Sequence, residues 1–321
     1  MAKNGQDVQL ACKHEDIAAV AWNPGLHITG FKGEHTIPLK AVTTIQELSG
    51  TFTLCLIATK AYDMPEAARQ MLPLLASDGL AVCMQNGICT DDLAAVVGAE
   101  RTVGCVIGWG ATMHSHGELE MTSGGDFAIG LPDRSHPPRL AALCEALNTV
   151  VPARIAEDIL AELWSKLIVN ACITSLGAVC GLRLGEMMKR LDARRIFLAV
   201  IQEAVQTASA LKIQMPPYGG RLDYFKLMKG TTPLDSLRRH VTIRVVGMKY
   251  SQLKSSSLQS LERGRPTEID WFNGYISKKG KEAGVPCPVN SRLTQMVHEI
   301  EQQKRQITVD NLADPQLQRQ G

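Results

Sequence analysis

The sequence predicts an α/β protein: a doubly wound sheet over residues 1–155, then an all-helical domain over residues 156–321. Three observations carry this. Short apolar runs alternate with helical stretches through the first half, the pattern of strand–helix–strand units. Two of these runs, 54–59 (LCLIAT) and 80–84 (LAVCM), are apolar throughout, as strands buried on both faces are. After 151–152 the strand signals stop and helical periodicity takes over.

Bulk properties bound the function. A chain of 321 residues has room for two domains and a large core. Hydrophobic residues make up 45% and charged residues 21%, an ordinary globular balance. A net charge of +2, no long basic block and only 5% aromatics argue against nucleic-acid binding. No run of about 18 uncharged apolar residues occurs, so no membrane span is expected. The start, MAKNGQDVQL, lacks the apolar core of a signal peptide. Nine cysteines are scattered without a C-x-x-C pair, which reads as reduced, mostly buried thiols in a cytoplasmic protein. No His/Cys/Asp cluster has zinc-ligand spacing, so no metal is expected.

In order, residues 7–12 form a short strand ending at Lys13. A strand pair follows at 26–29 and 35–38, turning through 32–33. The buried strand 54–59 ends at Lys60, and a helix spans 65–75. The buried strand 80–84 runs into Gln85-Asn86-Gly87. A helix at 91–97, a strand at 102–109, strand-like pieces at 117–121 and 127–130 and a helix at 139–147 complete the half. In doubly wound sheets, ligands bind beyond the carboxyl ends of the strands. Lys13, Lys60 and Asn86 all stand at such ends. Each alone reads as a solvated loop residue; three at equivalent positions point to a site.

One part is missing. A dinucleotide-binding sheet opens with a strand and a G-x-G-x-x-G turn into a helix. The only early glycine is Gly5, and Gly108-Trp109-Gly110 lies too late and is followed by Met113. The chain reads as starting inside the first helix, with a central first strand absent.

In the second half, helices are expected at 157–179, 184–189, 193–211, 221–229 and 234–246, from about 267, and at 290–305. The tail from 307 looks poorly packed. The helix at 157–179 is apolar at the spacing of one buried face, yet Lys166 and Asn170 interrupt it four residues apart, on a common face. A lysine in such a helix must snorkel, pair or work. Thr267-Glu268-Ile269-Asp270 fits a capping box, which makes Glu268 a first-turn acid. Ser255-Ser256-Ser257 reads as a turn.

Five segments, NGQDVQLACK, LIATKAYDMPEA, MQNG, AELWSKLIVNACITSLGAV and SSSLQSLERGRPTEIDWFNGYISKKGKEAGVPCPVN, resemble the ketopantoate reductase (2-dehydropantoate 2-reductase) family over residues 2–305. The last two are the specific ones. The resemblance implies an NADP-binding Rossmann-like domain, here without its first strand, and a helical domain of the 6-phosphogluconate dehydrogenase-like type. It implies NADPH-dependent reduction of ketopantoate, a small 2-oxo acid, to pantoate in pantothenate and coenzyme A synthesis.

The resemblance also assigns roles. Lys166 matches a general acid towards the carbonyl oxygen, and Glu268 a carboxylate near that lysine, the cofactor and the substrate hydroxyl. Asn170 and Ser256 match substrate-binding residues, Ser256 for the carboxylate. Asn86 matches an asparagine at the cofactor–substrate junction, and Lys60 a lysine beside the cofactor. Lys13 stands where a basic residue meets the NADPH 2′-phosphate, favouring NADP over NAD. Leu253 departs from an asparagine found in some members. A reductase of another 2-oxo acid therefore stays open, as does a non-catalytic relative lacking the glycine-rich loop, or an upstream start that would restore it. A homodimer through the helical domain is implied by the resemblance alone.

Overall fold

The computed structural model describes residues 1–318. They divide into two compact units. The first is Met1–Gln85 with Cys89–Leu160; the second is Asn86–Ile88 with the chain from Ala161 onward.

Unit 1 begins with a short turn, Ala2–Asn4, closed by Gly5 in the left-handed region at φ 82°. Its elements are β1 (Gln9–Ala11), α1 (Glu15–Trp22), β2 (Leu26–Gly30), β3 (His35–Ile37), β4 (Lys40–Val42), β5 (Phe52–Ile57), α2 (Met64–Met71), β6 (Leu75–Cys83), α3 (Thr90–Val97), β7 (Thr102–Ile107), β8 (Gly110–Ser115), β9 (Glu118–Ser123), β10 (Phe127–Gly130), α4 (Pro138–Asn148) and β11 (Ala153–Ile155). The main sheet runs in the order β11-β10-β7-β6-β5. β5, β6 and β7 are parallel, with Leu56 beside Val82 and Val82 beside Val103. β10 runs antiparallel to β7 and parallel to β11. Leu80, Val82, Val103, Ile129 and the α4 residues Leu140 and Leu143 form a fully buried core.

Two smaller sheets complete the unit: the parallel pair β1–β4, and β3-β2-β9-β8. Among the described residues no strand pairs with the second edge of either β1 or β5. The expected opening strand and its glycine-rich turn are not among them. β5 is accordingly only half-buried at Leu54, Cys55 and Leu56, although its sequence is that of a central strand.

Unit 2 is helical: α5 (Ile159–Cys180), α6 (Leu184–Lys189), α7 (Leu191–Ala210), α8 (Tyr224–Met228), α9 (Pro233–Lys249), α10 (Ser256–Glu262), α11 (Asn273–Glu282) and α12 (Pro288–Glu301). By length and composition α5 is apolar enough to cross a membrane, but 78% of its apolar window is buried in the fold, as befits a core helix. Leu167, Ile168, Ala171 and Cys172 are wholly buried on it. The start of α12 is held by the buried Glu203, which accepts from the backbone N–H of Val289 (2.8 Å) and Asn290 (2.9 Å). Burial pushes the Glu203 carboxyl up, against the pull of those hydrogen bonds.

The tail expected to pack poorly is docked as far as residue 318; its last three residues lie outside the described residues. Asn311, Leu312 and Leu317 are buried, and the Asn311 amide donates to the Val179 carbonyl at 2.7 Å. Arg292 adds an ion pair to Asp314 at 2.8 Å, which anchors the segment to α12.

Candidate active site

In unit 1 the strand ends are tied together. The Gln85 amide donates to the carbonyls of Ile57 (2.9 Å) and Thr59 (3.1 Å), linking the ends of β6 and β5. Among the described residues, Thr59 Oγ1 and Gln85 Oε1 are buried with no hydrogen-bond partner. Both atoms lie at carboxyl-terminal strand ends, the side on which doubly wound sheets bind their ligands. Lys60 lies just past Thr59 and is exposed. Lys13, past β1, forms an ion pair with Asp63 at 2.9 Å, three residues beyond Lys60. The pair ties the end of β1 to the turn that follows Lys60.

In unit 2, Lys166 and Asn170 are half-buried on one face of α5, between the fully buried Trp164, Leu167 and Ile168. The Asn170 Nδ2 is among the buried atoms with no partner. That amide donor is available to an acceptor on a ligand. The same face continues to Thr174, whose hydroxyl donates to the Asn170 carbonyl at 2.7 Å, and to Gly177. A Cβ on Gly177 would lie 2.6 Å from Ser255 Oγ, so only glycine admits the next element.

That element is α10. The serines read as a turn start a helix, because Ser255 caps it by accepting from Leu258 N. Ser255 and Ser257 are buried, whereas Ser256 is exposed in the first turn. Of the three hydroxyls, Ser256 is the one open to a ligand.

The turn carrying Glu268 is gripped on both flanks. Thr267 donates through its backbone N–H and its hydroxyl to Glu301 Oε1, each at 2.7 Å. Asp270 meets His298 Nε2 at 3.0 Å, and the other His298 nitrogen meets Glu301 at 2.9 Å. The expected capping box does not form. Asp270 goes to His298, and Glu268 itself occupies the cap position of the short turn Ile269–Trp271, making no side-chain cap bond. Glu268 is half-buried between the buried Thr267 and Ile269.

Asn86 belongs with this turn. The Ile88 N–H donates to the Trp271 carbonyl at 3.4 Å. Gly87 sits at φ +85°, and a Cβ there would lie 2.5 Å from the same carbonyl oxygen. Only glycine combines that backbone with that approach. The exposed Asn86 side chain is thus presented beside the turn that carries Glu268.

A model of the ketopantoate reductase PanE/ApbA family matches residues 1–134, and the model of its C-terminal part matches residues 158–301. The chain belongs to the ketopantoate reductase family. It is an oxidoreductase like the 2-dehydropantoate 2-reductases. The enzyme of that name from Archaeoglobus fulgidus is 27% identical over 298 residues, covering 92% of this chain and 90% of its own. That from Aquifex aeolicus is 25% identical over 292 residues, 88% of each chain. Among solved structures, a PanE/ApbA family ketopantoate reductase from Ralstonia eutropha JMP134 superposes with TM-score 0.78 at 25% identity, covering 94% of this chain and 93% of that one. D-mandelate dehydrogenase with NADH and anilino(oxo)acetate shares the fold, with TM-score 0.77 at 22% identity and the same coverage.

Sequence reading passed over Gln85, Thr59, His298 and Glu301. Gln85 was visible beside Asn86, but nothing local shows that its amide spans two strands. His298 and Glu301 lie about thirty residues from the turn they hold, so only the packed helix α12 reveals them.

Proposed function

We propose that this ketopantoate reductase family member reduces a 2-oxo acid to the 2-hydroxy acid with NADPH, and that its substrate is 2-dehydropantoate, the product being pantoate. The observation that carries the reading is the α5 face. A lysine and an asparagine with an orphaned amide donor interrupt an otherwise buried helix, and the face leads to the exposed Ser256.

The orphaned Thr59 Oγ1 and Gln85 Oε1 and the neighbouring Lys60 and Lys13 fit a polar, anionic cofactor at the strand ends. A nicotinamide dinucleotide bound there supplies the hydride. Lys13 favours a phosphorylated cofactor. Its bond to Asp63 joins side chains that are 72% and 38% exposed, and such pairs contribute about 0–1 kcal/mol, so a phosphate displaces it readily.

As hydride reaches C2, negative charge grows on the carbonyl oxygen. The Lys166 ammonium stabilises that charge and donates the proton. Asn170 Nδ2 donates to the substrate, and Ser256 binds its carboxylate. Glu268 accepts from the nascent hydroxyl and keeps the lysine oriented, while Asn86 holds the junction between cofactor and substrate.

A second reading has a specific observation behind it. Leu253, 40% exposed and three residues before Ser256, offers an apolar contact where an asparagine would hydrogen-bond. This favours a 2-oxo acid less hydroxylated than 2-dehydropantoate. The test is NADPH consumption with purified protein across a panel of 2-oxo acids, with NADH in parallel. The primary reading expects the highest kcat/KM for 2-dehydropantoate with NADPH. A preference for an apolar 2-oxo acid selects the second reading, and no turnover of any 2-oxo acid overturns both.

A further inference from the structure

A cationic cluster lies where α9 packs on α6 and α7, away from the residues described above. His240, Ile243, Arg244 and Gly247 recur at i, i+3, i+4 and i+7, so they share one face of α9. Ile243 and Gly247 are buried on that face. A Cβ on Gly247 would run into Met188 Cγ at the end of α6. Arg194, in the first turn of α7, reaches the same methionine, because its Nη1 donates to the Met188 carbonyl at 2.7 Å. The α9 face and Arg194 therefore converge on Met188, and Arg195 follows Arg194 in the chain. Their charges act on one another. Burial first, then the Arg244 guanidinium, pulls the Arg194 pKa down. Burial, then Arg194, Arg195 and Arg239, holds the His240 imidazole below its ordinary 6.5.

The groups that could neutralise the cluster are engaged elsewhere. Asp192 accepts from Arg190 Nη2 at 2.6 Å and Nε at 3.1 Å, and from the Ala193 N–H at 2.7 Å. Arg238 and Arg239 belong to a different task, closing the end of α8 at the Lys229 (2.7 Å) and Met228 (3.0 Å) carbonyls. Arg195 and Arg244 make no ion pair and no side-chain hydrogen bond among the described residues. Arg194 Nε and His240 Nδ1 are buried, again without a partner among the described residues. Like charges gathered at a partly buried site repel, and a bound anion turns that cost into attraction.

We infer that Arg194, His240 and Arg244, with Arg195 at the rim, form a binding site for the phosphate group of a small soluble molecule. A phosphate suits the donor set better than a carboxylate. Guanidinium forks match phosphate oxygens in pairs. Donors converge from two helices, and a phosphate offers three oxygens and close to two negative charges to meet them.

The test is titration calorimetry of the full chain with pyrophosphate at low salt, in a Lys13→Gln/Lys60→Gln background that removes the strand-end lysines of unit 1. Arg244→Gln and Arg195→Gln/Arg244→Gln are compared with that background. The expected result is saturable binding that weakens at least tenfold in Arg244→Gln and further in the double variant. Neither arginine holds a partner, so both variants should melt no lower than the background in anion-free buffer, and pyrophosphate should raise the melting temperature of the background more than theirs. A purely structural role for Arg244 predicts the opposite, a lower melting temperature without anion. No binding of pyrophosphate, equal affinity in the background and Arg244→Gln, a variant that melts lower in anion-free buffer, or binding to phosphatidylglycerol vesicles without binding to pyrophosphate overturns the assignment.

Discussion

Gly87→Ala perturbs the contact that brings Asn86 to the Glu268 turn. The left-handed backbone at φ +85° costs an alanine about 1–2 kcal/mol. The new Cβ also meets the Trp271 carbonyl oxygen at 2.5 Å and the Trp271 Cβ at 3.1 Å. Neither neighbour is the end of a flexible chain, so the turn must back away, which adds about 1–3 kcal/mol. The total is about 3 kcal/mol. Gly284→Ala is the control, because Gly284 sits at φ +70° with nothing within 4 Å and should lose only the backbone share. Denaturant melts read the stability difference, and steady-state NADPH consumption reads the displacement of Asn86. The expected outcome is that Gly87→Ala loses clearly more stability than Gly284→Ala and at least tenfold in kcat/KM. Equal stability losses, or an unchanged kcat/KM, would refute the docking of this turn as part of the site.

Asn170→Ala removes an amide donor that has no partner of its own. It should leave the melting temperature in place and raise KM for the 2-oxo acid about tenfold to a hundredfold, the worth of one charge-assisted hydrogen bond, measured by substrate titration. Burial lowers the His298 pKa, but Glu301 and Asp270 together outweigh it and hold the imidazole above its ordinary 6.5. A raised folded-state value means that its contribution is complete below pH 6.5 and is lost as pH rises through the folded value. Thermal melts across that window should show His298→Gln falling furthest below the parent on the acid side, with the gap closing on the alkaline side. Glu203→Ala strips the start of α12 of a buried acceptor and should cost about 3 kcal/mol in a denaturant melt.

Much of the fold was legible because burial writes itself as runs and periods. The strands β5 and β6 and the helices α5, α6 and α12 carry dense apolar patterns. What escaped carries none. The only buried residues of α1 are Ala18 and Ala21, and its Trp22 is exposed, so its periodicity is faint. β8 is exposed along nearly its whole length and is specified by its partner β9. β11 has three residues and exists by pairing with β10. α10 looked like a serine turn because the capping oxygen of Ser255 and a free hydroxyl are the same letter in sequence. The tail was misjudged because the partner of the Asn311 amide, the Val179 carbonyl, lies far upstream in sequence. At the site, Lys166 and Asn170 stood out as polar breaks in an apolar helix. The grip of α12 on the Glu268 turn involves residues distant in sequence and showed only in three dimensions.

The central claim is that Lys166 delivers the proton when a 2-oxo acid is reduced. The most direct measurement is kcat for NADPH-dependent reduction of 2-dehydropantoate by Lys166→Ala beside the parent, with melting curves for both. The account predicts an intact fold and a kcat lower by about a hundredfold to ten-thousandfold, the usual contribution of a general acid. A folded Lys166→Ala protein that turns over at the parent's rate would contradict it.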